Sequence, residues 1–411
     1  MRIYIETYGC AANQGDASII QGILLDRGHE LVDSFENADA IVMLTCTVID
    51  TTQQRMLNRI RKLNKNGKIF VVAGCMASAQ PDLIKNVAKN ALLLPPRYVH
   101  CISDLIEGKK SFYYVPKVNL PRKIEIRLNI PISEGCLYNC SYCITKKARG
   151  KLISFPLKEL LKDVKKAIEK GCKEIRLTSQ DTASYGMDSG ESLVELINEI
   201  VDIEGEFRIR IGMMHPLSAY KILDDLIEAY KNKKVYKFLH LPLQSASPKI
   251  LKAMQRGYDL NLFEEIVGEF RKKIDGSFAT DVIVAFPGED EKDFEMTKEA
   301  IENIKPDITN VTRFSPRPDT KAWKMKRLPT QIAKERSKII SCIANRISYE
   351  RNKKCIGKVY NALILEEYKG WKIGKTIAYK SIFVKKAKIG EFVKVRAYDC
   401  TSTHLKCNLY K

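Results

Sequence analysis

No apolar run in this 411-residue chain reaches the roughly 18 residues that a membrane-spanning helix needs. The opening stretch, MRIYIETYGC, has no charged leader followed by an apolar run, so no secretory signal is read there. The chain is therefore expected to be cytoplasmic and to have no membrane partner. Acidic residues are the minority charge, 49 against 69 Lys+Arg, for a net +20. The excess is uneven. From Ser341 to Lys411 there are 16 Lys+Arg and 5 Asp+Glu, a net +11. A basic terminal module suggests a polyanion, most simply nucleic acid, although a solvated, solubilising surface has the same composition. Cysteine is not scarce. Twelve cysteines in a compartment where thiols stay reduced point to metal or redox chemistry instead of disulfides.

Three segments of an α/β chain follow from periodicity. In residues 1–114, apolar strands ("RIYIETYGC", "DAIVMLTCT", "KIFVVAGCM") alternate with helical stretches, which predicts a parallel sheet covered on both faces. In residues 115–346 a strand-then-helix unit recurs six times. That predicts an open (β/α)6 partial barrel, with its active residues on the loops after the strands. In residues 347–411 apolar and polar residues alternate between glycines, which predicts a small antiparallel β-barrel. Its lysines lie beside Tyr368 and Trp371, a mixture suited to neutralising a phosphate backbone and stacking on bases.

The loop after the first barrel strand, "ISEGCLYNCSYCITKKARG", holds Cys136, Cys140 and Cys143 within eight residues. A structural zinc site needs four ligands, and Cys172 or one of five histidines would have to supply the fourth. A four-iron cluster held by three cysteines instead keeps one iron open to a reactant. A second trio, Cys10, Cys46 and Cys75, lies at the carboxyl ends of the three predicted amino-terminal strands, where ligands gather in such sheets. Taken singly, each of these is also a plausible small buried residue.

The CxxxCxxC loop resembles the radical S-adenosylmethionine superfamily. The resemblance implies that Cys136, Cys140 and Cys143 hold a [4Fe–4S] cluster whose open iron chelates S-adenosylmethionine. One electron would then cleave the sulfonium to methionine and a 5′-deoxyadenosyl radical. It places Tyr142 near the adenine, and Thr178, Ser179 and Gln180 near the cofactor's amino group. A turn of small polar residues is the plainer reading of that last stretch.

With "TYGCAANQGDA", "LTCTV", "AGCM", "EGCLYNCSYC", "HLPLQSAS", "RGYD", "DVIVAFPGE" and "SPRPDTKA", nearly the whole chain resembles the methylthiotransferases. Its terminal module resembles the RNA-binding TRAM domain. The implications are two [4Fe–4S] clusters, the second held by Cys10, Cys46 and Cys75, and two molecules of S-adenosylmethionine per turnover. One would supply the methyl group and the other the radical. A sulfur donor and an electron donor are also required.

The stretch "TKKARGKLISFP" resembles the branch that acts on threonylcarbamoyladenosine next to the tRNA anticodon. The alternatives are the branches acting on isopentenyladenosine in tRNA or on a ribosomal protein, or a non-catalytic zinc-stabilised RNA-binding protein. Lys146, Lys147 and Arg149 are expected to bind anticodon-loop phosphates or the threonylcarbamoyl carboxylate, which a guanidinium grips in two places. An internal salt bridge or a surface charge cluster is the other reading. His240, Gln244 and Asp281 are read as satisfied polar groups of the barrel, and Asn13 as a residue orienting the Cys10 loop.

Overall fold

The computed structural model describes residues 1–64, 67–109 and 112–410. Its amino-terminal unit is a five-stranded parallel sheet in the order Glu30–Val32, Arg2–Thr7, Ala40–Thr45, Ile69–Gly74, Leu92–Leu94. All six residues of Ala40–Thr45 are buried. Alternate side chains point to opposite faces. Val42 and Leu44 therefore pack under the helix Ala11–Asp26, whereas Ile41 and Met43 pack under the helix Asp50–Leu63. The two edge strands were not predicted; at three residues each they are too short to show alternation. Gly22 lets the connector cross the first helix closely, since a Cβ there would lie 2.3 Å from the Arg122 nitrogen.

The central unit has the six predicted parallel strands. Arg127–Pro131, Glu174–Thr178 and Arg208–Ile211 form one sheet, and Phe238–His240, Ser277–Val284 and Ile308–Arg313 form the other. A single parallel bridge, Ile209 to Val235, joins them, leaving an open barrel. Its core combines the inner strand residues with the inward faces of the surrounding helices, for example Leu160, Val164, Leu196, Ile200 and Phe263.

The helix Thr330–Lys353 runs through residue 347, where periodicity places the start of the third segment. After it come five strands in a closed barrel, ordered Val359–Tyr368, Trp371–Thr376, Ser381–Val384, Leu405–Leu409, Phe392–Cys400. Every neighbouring pair is antiparallel, as predicted, except Ser381–Val384 with Leu405–Leu409. The parallel pair arises because the fourth strand crosses to the first before the chain returns to the third.

This small barrel docks on the amino ends of the central strands. The Tyr379 ring lies 4.8 Å from both Tyr236 and Phe238. Its hydroxyl accepts from Arg176 Nη2 at 2.8 Å and donates to Glu174 Oε1 at 3.1 Å. Lys380 Nζ and Arg351 Nε both reach Asp307 Oδ1, at 2.8 and 2.6 Å. The cysteine loops are at the carboxyl ends, across the central barrel. Among the described residues, no helix is long and apolar enough to cross a membrane.

Candidate functional site

Cys10, Cys46 and Cys75 follow three adjacent strands whose registers pair Thr7 with Leu44 and Thr45 with Gly74. The three loops therefore leave one sheet edge side by side. Cys10 is exposed and stands at the N-cap of Ala11–Asp26, an end that favours negative charge. Burial raises the pKa of Cys46, and proximity to Cys10 adds to the rise. Burial pushes Cys75 up to about 11, while Arg149 pulls it down. Asn13 Nδ2 donates to the carbonyls of Tyr8 and Thr45, at 2.7 and 2.9 Å, tying two of the cysteine loops together.

The second trio sits on a tightly folded loop. Gly135 has φ +82°, and a Cβ there would lie 2.0 Å from the Lys151 carbonyl oxygen. Gln180 Oε1 accepts from the Gly135 nitrogen at 2.8 Å, and the Ser179 and Ser133 hydroxyls are 2.7 Å apart. Ser179 and Gln180 thus brace the loop, whereas the buried Thr178 Oγ1 has no protein partner. Arg256 Nη1 donates to Cys140 Sγ at 3.2 Å. Burial pushes Cys136 up to about 11 and also raises Cys143. Tyr142 meets Phe286 edge-on, with ring centroids 6.3 Å apart. We expect Gly135→Ala to cost ~1–3 kcal/mol in backbone strain and to lose most of the iron bound at this loop, measured after anaerobic reconstitution.

Beneath the loop, Tyr138 stacks on His215 with centroids 3.7 Å apart and bonds Ser218 Oγ at 2.8 Å. Asp181 accepts from the His215 nitrogen and from Ser218 Oγ, at 2.8 and 2.7 Å. Burial lifts the Asp181 carboxyl to about 6 and drops the His215 imidazole to about 2, so the stacked ring is neutral. Because the folded pKa of Asp181 exceeds the ordinary 3.8, its proton is held more tightly in the folded state. The resulting stability is complete below about pH 4 and lost as pH rises through about 6. Asp181→Asn should flatten that part of a melting-temperature profile across this range.

Arg256, Asp181, His215 and Tyr138 were not singled out from the sequence. Tyr138, Asp181 and His215 lie on the loops after strands, and Arg256 opens the "RGYD" stretch that follows the helix Pro248–Ala253. His240 and Asp281 pair at 3.0 Å, and Asn310 donates to Asp281 at 2.7 Å, so these two are satisfied as expected; Gln244 is not, since its buried Oε1 has no partner among the described residues.

The segments carrying the two trios meet. Cys75 and Ala79 pack directly on Ile144 and Ala148, which follow Cys143. The basic residues expected to grip substrate do not form an open cradle here. Arg149 is 3% exposed. Its Nη2 donates to Asp16 Oδ2 (2.7 Å) and Asn13 Oδ1 (2.9 Å), and its Nη1 to Glu134 Oε1 (3.1 Å). Lys117 Nζ reaches the same two carboxylates, at 2.6 and 2.9 Å. Burial disfavours an ionised Asp16, but Arg149 and Lys117 together outweigh it and hold its carboxyl below the usual range. Arg149 thus makes the internal salt bridge that was the alternative reading from the sequence. Lys146 folds back on the carbonyl of Cys136, and exposed Lys147 pairs with Asp319.

On the other flank, buried Arg317 donates to the Thr47 carbonyl (3.2 Å) and Gln53 Oε1 (2.6 Å), just past Cys46. Among the described residues, no three His, Cys, Asp or Glu side chains gather as a single-ion site.

The family model of the radical SAM superfamily matches residues 130–301, that of uncharacterized protein family UPF0004 residues 2–94, and that of the TRAM domain residues 353–408. A Methanocaldococcus jannaschii protein named probable threonylcarbamoyladenosine tRNA methylthiotransferase is 43% identical over 422 residues, covering 100% of this chain and 97% of its own length. The chain belongs to the threonylcarbamoyladenosine tRNA methylthiotransferase family. The human threonylcarbamoyladenosine tRNA methylthiotransferase is 33% identical, over 98% of this chain and 73% of its own.

Among solved structures, the radical S-adenosylmethionine methyltransferase TsrM from Kitasatospora setae superposes with a TM-score of 0.57 at 13% identity. It covers 90% of this chain and 77% of its own, a likeness of fold. Membership in this radical SAM methylthiotransferase family implies a [4Fe–4S] cluster and S-adenosylmethionine.

Proposed function

We propose that this protein methylthiolates threonylcarbamoyladenosine in tRNA at carbon 2 of the adenine, using two [4Fe–4S] clusters. One would be held by Cys136, Cys140 and Cys143, the other by Cys10, Cys46 and Cys75. The observation that carries the reading is that the segment bearing Cys75 and the segment following Cys143, from two different sheets, pack on each other through Cys75, Ala79, Ile144 and Ala148. The donor sets suit the groups: three soft thiols each, and beside the radical loop a buried hydroxyl, Thr178 Oγ1, left without a protein partner. A bound cluster of this kind supplies the single electron that S-adenosylmethionine cleavage needs.

The chain's own residues hold the geometry. Gln180, Ser179 and Ser133 fix the start of the radical loop, and Arg256 steadies Cys140 with a cationic donor. Arg149 and Arg317 pin the two domains together on either side of the amino-terminal trio. Tyr142 and Thr178 are the side chains we assign to the adenine and amino ends of the cofactor.

Mass spectrometry of tRNA nucleosides from cells lacking the gene tests the reading. The expected result is loss of 2-methylthio-N6-threonylcarbamoyladenosine with accumulation of its unthiolated precursor. Undiminished product would overturn it. A ribosomal-protein target is disfavoured by the module that follows the barrel, whose segment 371–390 holds six lysines and no acidic residue.

A further inference from the structure

Alternation along the central strands sends two sets of side chains to opposite faces. Leu128, Ile130, Ile175, Leu177, Ile209 and Ile211 pack under the helices. The residues between them therefore face the hollow of the barrel. Register sets these in two layers: Arg127, Glu174 and Arg208 side by side, then Asn129, Arg176 and Arg210 nearer the cysteine loops. By the same alternation Phe238, His240 and Asp281 face the hollow from the other sheet. Ile308 and Asn310, the hollow-facing residues of the last strand, are exposed, so the hollow opens to solvent along that edge.

Among the described residues, cations outnumber carboxylates at the floor of this hollow. Glu174 Oε1 accepts from Arg176 Nε at 2.6 Å and from the Tyr379 hydroxyl at 3.1 Å, and its Oε2 accepts from Arg127 Nε at 3.2 Å. Both of its oxygens are taken. Exposed Glu366 reaches Arg127 at 3.5 Å. Lys375 adds an ammonium, bonded to Ser381 Oγ at 2.8 Å. Higher up, Asp281 is taken by His240 and Asn310.

Arg210 is left over. Its Cζ stands 5.3 Å from the Phe238 centroid and 5.5 Å from that of Tyr379, and it has no hydrogen-bond or ion-pair partner among the described residues. Burial lowers its pKa and Arg176 adds to the fall; Tyr379 and Glu174 act the other way without offsetting them. A guanidinium stays charged even so. Positive charge thus stands part-buried without a counter-ion, and an anion placed beside it would be stabilising.

We propose that Arg210 grips the carboxylate of the threonylcarbamoyl group. The inference rests on the threonylcarbamoyladenosine reading and names a residue for its one anionic group. Arg149 is not free for that task, being spent on Asp16 and Glu134. Stacking against two rings fixes the plane of the Arg210 guanidinium and leaves its N–H fork for a carboxylate. Phe238, one of those rings, lies two residues before His240, the last residue of its strand. The guanidinium is therefore set below the mouth, where a base held level with the cysteine loops can extend its N6 substituent toward the floor.

Fluorescence anisotropy with the full-length reconstituted protein tests it. The probes are labelled anticodon stem-loops bearing threonylcarbamoyladenosine, either as the free acid or as the methyl ester of its carboxylate. The unaltered protein should bind the acid roughly ten- to a hundredfold more tightly, the range for a hydrogen bond to a charged group. Arg210→Gln should cut that preference to within about twofold, through loss of affinity for the acid with the ester unchanged. Arg210→Lys keeps the charge without the fork and should recover part of the preference. Equal binding of acid and ester by the unaltered protein would overturn the proposal, whether or not the variants fold. So would a preference that survives Arg210→Gln, or an equal loss on both probes, the result of a purely structural role. The nucleoside measurement above judges the substrate reading without touching Arg210, so either can fail alone.

Discussion

Arg149→Met is expected to destabilise the protein by ~3–5 kcal/mol, the usual cost of leaving a buried charge without its partner. Four charges meet out of water at this point: Arg149, Lys117, Asp16 and Glu134. Two cations balance two carboxylates, and removing Arg149 leaves an uncompensated anion. The same change removes the hydrogen bond to Asn13, which spans two of the amino-terminal cysteine loops. Iron retention at that trio should therefore fall along with stability. Arg149→Lys keeps the charge but not the fork, and should recover only part of the loss. Adding Asp16→Asn to Arg149→Met should rescue about 0.5–3 kcal/mol relative to the sum of the single changes, because it deletes the orphaned anion. Shifts of the denaturant midpoint on metal-free protein measure all four variants. Strict additivity would show that the four groups do not act as a unit.

The larger effect on activity belongs to the cysteines. After anaerobic reconstitution the unaltered chain should carry about eight irons and absorb strongly in the visible. Replacing Cys10, Cys46 and Cys75 together by Ala should leave about four, and so should replacing Cys136, Cys140 and Cys143. Both triple variants should lose methylthiolation completely, yet they should differ in one respect. Reductive cleavage of S-adenosylmethionine should survive without the amino-terminal trio and vanish without the other. A colourless protein with a single zinc would instead favour the non-catalytic RNA-binding alternative.

Much of the architecture was legible because it is local. The Cys136–Cys140–Cys143 spacing occupies one loop, so eight residues display it whatever surrounds them. Period-two and helical stretches revealed the six strand–helix units and the terminal barrel, since each element's exposure pattern repeats within its own length. The alignment of Cys10, Cys46 and Cys75 was also readable. Parallel strands place their carboxyl ends together, and each cysteine directly follows such an end or lies within a few residues of it.

Long-range pairing was not legible. Arg149 meets Asp16 across 133 positions of chain, and Arg317 meets the Thr47 carbonyl across 270. Nothing in "KKARG" distinguishes a guanidinium that faces solvent from one enclosed between two domains. The same holds for Lys375, whose ammonium is buried by docking and drops to about 8 for that reason.

The sequence by itself determined where the thiols cluster, how many layers the chain builds and which end carries its excess charge, because each depends on neighbours along the backbone. Only the tertiary structure decided that Arg149 locks a domain junction. It also decided that the segments carrying Cys75 and following Cys143 pack on each other, and that the basic barrel docks at the strand ends away from them. Those outcomes depend on which buried charges and apolar faces find partners from distant parts of the chain, and desolvation settles that only once the domains have packed.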